Sequence, residues 1–227
     1  AKHILTEAIE KIASDHTVET TISVVNLDSE DEGELFIGSA GGINTIARIK
    51  IKTKKIPKDQ LSFKIVVTGL AGGHSGGDID KGRGNSIKIL NRFLWTAPKK
   101  LKIKLVKFEG GNLPNAIPRE AYVIITIPKK NEQILKEHLN QYIIAIKNEL
   151  MITEPNLKIF LTSVKRPQQA FNKKSQSRLL NSLYACPNGI IAMSRTMKGL
   201  VETSTNLASV KFESKNDIKI TTSQRSS

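Results

Sequence analysis

The stretch GLAGGHSGGDIDKGRGN, residues 69–85, places six glycines beyond Gly69 around a single histidine, His74. A strand-like run at 61–68 precedes it and a helical pattern follows it. Glycine at this density lets a backbone adopt positive φ or approach a ligand closely. A histidine held there can donate a hydrogen bond to a developing anion or carry a proton near neutral pH. The same composition fits a long flexible turn with an incidental histidine, and spacing alone leaves the two readings level.

Working outward, residues 5–12 have helical spacing, with Leu5, Ile9 and Ile12 on one face. Residues 21–27 read as a short apolar strand that runs into an acidic turn. Residues 43–51 alternate as a strand; after a turn at 57–60, residues 61–68 supply its partner, which predicts a hairpin. Asn85 is placed to cap a helix over 86–95 whose apolar stripe is Ile87, Leu90 and Leu94. Strands are predicted at 101–108, 121–127 and 157–164. Asn131 is placed to cap a helix over 132–150 that carries Leu135, Leu139, Ile143, Ile146 and Leu150. Residues 175–184 read as a helix, and 207–212 with 218–222 as a closing hairpin. Strands in adjacent pairs favour a mostly antiparallel sheet with helices packed on one face. The class is α/β (α+β), an extended ferredoxin-like split βαβ plan.

The chain has 227 residues, enough for one large or two small domains. No apolar run approaches the length of a membrane span. The opening AKHILTEA is amphipathic and charged, unlike a signal peptide. A lone cysteine, Cys186, excludes an internal disulfide and favours a reducing, cytoplasmic compartment. The start at Ala1 and the stop at Ser227, just after a strand-like run, read as cut ends. Net charge is +14, which raises nucleic acid as a partner. The lysines are scattered, however, and only 5% of residues are aromatic, so stacking platforms are scarce.

The wording of residues 72–79, GGHSGGDI, resembles the lid-domain loop of the aminoacyl-histidine dipeptidases. These are two-zinc metallopeptidases related to carnosinase and aminoacylase. Three further stretches match the same family in order: NLDSEDEG at 26–33, NAIPREA at 115–121 and GLVETSTNL at 199–207. The terminal QRSS at 224–227 is a weaker fifth. The resemblance implies that residues 1–42 are a remnant of the zinc-peptidase catalytic domain. Residues 43–227 would be the lid, or dimerisation, domain. It also implies zinc as cofactor, a dipeptide as substrate, with aminoacyl-histidine the nominal class, and a homodimer formed through the lid.

The resemblance assigns roles to four residues. By spacing alone Asp28 belongs to a solvated turn, because five carboxylates fall within 28–34; the family motif makes it a zinc ligand. His74 would stabilise the tetrahedral intermediate as an oxyanion donor, and related lids reach the partner subunit's site. Asn115, stiffened between Pro114 and Pro118, would contact substrate. Arg225 would bind a peptide carboxylate through a two-pronged hydrogen bond. Glu202 and Asn206 match the family with no role assigned. Asp78 and Asp80 lack the further ligands of a calcium loop and read as polar or capping groups. His3, His16 and His138 read as surface residues, and Cys186 as a buried or half-exposed thiol.

A two-metal hydrolase needs about five protein ligands and a general base. The chain has no His-x-Asp and no Glu-Glu pair, and its last histidine is His138. The expectation is that this chain alone neither holds two zinc ions nor turns over dipeptide. Two other classes stay open on the sequence: a non-catalytic ferredoxin-like module binding a small ligand at the glycine-rich loop, and a basic nucleic-acid-binding domain with steep salt dependence.

Overall fold

The computed structural model describes residues 40–214 and 216–226. The helix expected at 5–12, the strand at 21–27 and Asp28 lie outside the described residues. Among the described residues ten strands and three helices follow one another in the order β1 (Gly41–Lys50), β2 (Thr53–Lys55), β3 (Gln60–Thr68), α1 (Ser86–Thr96), β4 (Lys104–Gly110), β5 (Ala121–Pro128), α2 (Glu132–Leu150), β6 (Lys158–Ser163), β7 (Gln169–Phe171), α3 (Lys173–Ala185), β8 (Gly189–Met193), β9 (Val201–Ser214) and β10 (Asp217–Ser226).

Every pairing is antiparallel. The main sheet runs β1-β10-β9-β4-β5-β3-β6, β8 adds to β9, and β2 pairs β7 apart from it. The segment from β3 to β6 is the expected split βαβ unit, with β3 between β5 and β6. Alternation decides which face is covered. Phe63, Ile65 and Val67 of β3 and Val123, Ile125 and Ile127 of β5 are buried with Ile87, Leu90 and Phe93 of α1, Leu135 and Ile146 of α2, and Leu179 and Leu183 of α3. Lys64, Val66, Tyr122 and Ile124, on the alternate positions, remain half-exposed.

Asn85 caps α1 as expected, accepting from Ile87 N and Lys88 N through Oδ1. Its Nδ2 donates to Leu207 O and Asn188 Oδ1, so the cap also ties the helix to β9. Lys88, one turn on, donates from Nζ to the carbonyls of Leu183, Tyr184 and Cys186 and so closes the C-terminal end of α3. Burial pulls its pKa below the usual lysine range.

Four local expectations change. The hairpin of 43–51 with 61–68 does not form. β1 pairs along its whole length with β10, Gly41 opposite Ser226 and Lys50 opposite Asp217, because both edges of β3 are taken by β5 and β6. Asn131 makes no side-chain cap to α2. It sits in a 3-10 turn, Lys129–Asn131, and its Nδ2 donates to Lys100 O and Leu101 O instead. The strand expected from 101 starts at Lys104, since Lys99–Leu101 form a 3-10 turn closed by left-handed Lys102. His138 is half-buried rather than superficial: its ring stacks on Phe93 at 5.3 Å, and burial lowers its pKa. The strands β2, β7 and β8 were not expected; at three to five residues they are too short to show a period.

We predict that Asn85→Ala lowers unfolding stability by about 2 kcal/mol, through loss of the cap and of the bonds to Leu207 O and Asn188 Oδ1. Chemical denaturation measures this, and a variant within about 0.5 kcal/mol of wild type would contradict it.

Candidate functional site

The glycine-rich loop leaves β3 at Gly69 and delivers the chain to Asn85. Its centre docks on the 114–118 loop through one antiparallel bridge, His74 with Ala116. Ile117 N donates to Gly73 O, and Ser75 N donates to Asn115 O, each at 2.8 Å. The prolines flanking Asn115 keep that segment stiff, so it can serve as a one-rung template. Asn206 of β9 donates from Nδ2 to Ala116 O at 2.8 Å and holds the template from behind. Arg119 donates from Nε to Leu70 O and lays its stem against Gly72, where any Cβ would collide with it.

Asp78 organises the turn itself. Its Oδ2 accepts from His74 N at 2.8 Å, and its own N–H returns to His74 O at 2.9 Å. Lys81 pairs with Oδ1 at 2.6 Å and Arg83 with Oδ2 at 3.1 Å. The Lys81 ammonium, then the His74 amide, hold the Asp78 carboxyl below the usual aspartate range.

The His74 ring is exposed, and both of its nitrogens have company. Gly77 N–H points at Nδ1 at 3.3 Å. Nε2 lies 3.2 Å from Nη2 of Arg225 near the end of β10. The guanidinium can only donate, so this contact is a hydrogen bond when Nε2 accepts and Nδ1 carries the ring proton; with the proton on Nε2, both groups face an external anion as donors. Two convergent donors, one of them cationic, suit an external oxyanion or carboxylate. Arg225 Nε is buried with no hydrogen-bond partner. A Cβ at residue 76 would press on both the Arg225 guanidinium and the His74 ring, so this glycine allows their approach.

Of the residues singled out from the sequence, His74, Asn115 and Arg225 therefore come together from three separate segments. Asn115 contributes its backbone carbonyl to the docking, and the residue itself is exposed. Glu202, Asn206 and Arg225 share the β9–β10 hairpin, where Arg225 pairs Ser204. Cys186 is half-buried, with Sγ near Pro187 O, and burial pushes its thiol pKa up. Sequence reading missed Glu154, which accepts backbone N–H groups from Ala71 and Gly84, because nothing in the pattern of α2 singles it out. Among the described residues no three His, Cys, Asp or Glu side chains gather as a metal site, and no helix is long and apolar enough to cross a membrane.

With this geometry in hand, known proteins are informative. A family model described as the peptidase dimerisation domain matches residues 65–153. The chain is 41% identical over 193 residues to the cytosol non-specific dipeptidase of Escherichia coli, which covers 85% of this chain and 40% of the relative. The crystal structure of aminoacylhistidine dipeptidase from Vibrio alginolyticus superposes with a TM-score of 0.83 at 40% identity, over 88% of this chain and 40% of that one. The dimerisation-domain fold and the family resemblance read from the motifs both stand. The chain spans about 40% of the length of these two relatives.

Because the folded-state pKa of Asp78 lies below the unfolded value, its contribution to stability is present above the ordinary aspartate pKa. That contribution is lost as pH falls through the folded value. We predict that Asp78→Asn lowers the thermal midpoint near pH 7, and that the gap to wild type narrows as pH falls below the ordinary aspartate value of about 3.9. Thermal unfolding of both proteins across this range is the check; a gap independent of pH would contradict the assignment.

Proposed function

We propose that this chain is the lid-domain portion of a metal-dependent dipeptidase acting on Xaa-His and other dipeptides. In this reading residues 1–42 are a remnant of the catalytic domain, and 43–227 form the lid through which a homodimer assembles. The observation that carries it is the convergence of His74 Nε2 and Arg225 Nη2 at 3.2 Å, on a loop whose position is set by several backbone hydrogen bonds. His74 donates to the oxygen that gains charge as the scissile carbonyl becomes tetrahedral. Arg225 binds the dipeptide carboxylate, and Asn115 orients the substrate from the neighbouring loop.

Zinc is the cofactor that the sequence resemblance implies, with Asp28 as the one ligand this chain brings. The described residues hold no such site, and none of the steps assigned to the lid passes through a metal. The chain by itself is inactive in this reading, because the remaining ligands and the general base are absent from its sequence. The cellular setting is the cytoplasm, in keeping with the reducing conditions that a lone thiol favours.

The test uses the intact enzyme that carries this chain. We predict that His74→Ala lowers kcat for Ala-His hydrolysis about a hundredfold with little change in KM, the pattern for an interaction made only in the transition state. An unchanged kcat would remove the mechanistic role of the glycine-rich loop.

A further inference from the structure

Glu154 is the buried acidic or basic side chain among the described residues, with 3% of its surface exposed. A buried carboxylate is costly unless its oxygens are satisfied. Among the described residues no ion pair forms to it. Its Oε2 accepts from Ala71 N and its Oε1 from Gly84 N, each at 2.7 Å. These two amides stand at opposite ends of residues 72–83, the segment that carries His74. One carboxylate thus closes the base of the loop, from a position far along the chain, just past the C-terminal end of α2.

The packing agrees. Gly69 is left-handed at φ +78°, and a Cβ there would run into the Asn156 carbonyl. A Cβ at residue 84 would press on Leu70, Leu150 and the Glu154 side chain. Both ends of the loop therefore seat against the turn at 154–156, which is itself anchored by Glu154 N donating to Leu150 O and Leu157 N donating to Glu154 O.

We propose that Glu154 is the positioning residue of His74: its two-oxygen grip on Ala71 and Gly84 sets where the loop presents the imidazole. The catalytic consequence rests on the role of His74 proposed above, whereas the closure of the loop does not. The chemistry asks for a carboxylate. Only an ionised acid offers acceptors on both oxygens; an amide of the same shape turns one of them into a donor facing another donor. Glu154→Gln therefore removes half of the grip while keeping the volume.

The test again uses the intact enzyme. In wild type, hydrogen exchange resolved to single amides should find Ala71 and Gly84 slow together, about a hundredfold slower than Gly76 at the loop tip. Exchange as fast as at Gly76 would overturn the grip, whatever any variant does. In Glu154→Gln both amides should speed up together, and kcat for Ala-His should fall about tenfold with KM nearly unchanged, as for a misplaced catalytic group. The double variant His74→Ala/Glu154→Gln should be no slower than His74→Ala alone, because the two residues act as one unit. A further fall in the double variant would mean that Glu154 acts by another route, and an unaltered kcat in Glu154→Gln would end the positioning role. If His74→Ala itself leaves kcat intact, the proposed function of His74 fails and so does the catalytic consequence, while the exchange rates still judge the grip.

Discussion

A glycine-rich segment of this length cannot hold a shape by its own side chains, and ordering each of its residues costs about 1–2 kcal/mol of backbone entropy. Everything proposed for the site depends on how that cost is offset. The loop is fastened at its base by Glu154, at its centre by the single bridge to residues 115–117, and at its exit by the Asn85 cap. Asp78 then fixes the turn by accepting from the His74 amide. Glu154 and residues 115–117 come from distant parts of the chain, so the loop is ordered only once the sheet has assembled.

The basic composition has a bland explanation in the same structure. A few lysines lie in ion pairs, as Lys81 with Asp78 and Lys107 with Glu109, and Lys88 closes a helix end. Several of the aromatic groups that a single-stranded nucleic acid would stack on are engaged within the fold, although Phe160 is exposed. Trp95 lies flat on Tyr184 at 3.9 Å, and the Tyr122 ring sits beneath Lys64 Nζ while its hydroxyl donates to Glu109. The lysines are scattered along the sequence rather than gathered in one motif.

Local chemistry was readable wherever one element sets its own geometry. The helix over 132–150, the strand at 121–127 and the Asn85 cap follow from period and capping rules, and the split βαβ plan follows from their order. Residues 43–51 pair with β10 rather than with the neighbouring strand in sequence, because strand partners depend on which edges remain free. Asn131 holds a position that fits a cap, but two carbonyls of the distant 99–101 turn hold its amide instead.

The sequence by itself determined the secondary-structure periods, the glycine density at 69–85 and the residue types of the site, since these depend on side-chain identity and near neighbours. Only the tertiary structure decided that Arg225 meets His74 across some 150 positions, that Asn206 supports the Ala116 carbonyl, and that Glu154 closes the loop. Such contacts are set by sheet register and by the satisfaction of buried polar groups. Both are properties of the assembled core, which no short window of sequence encodes.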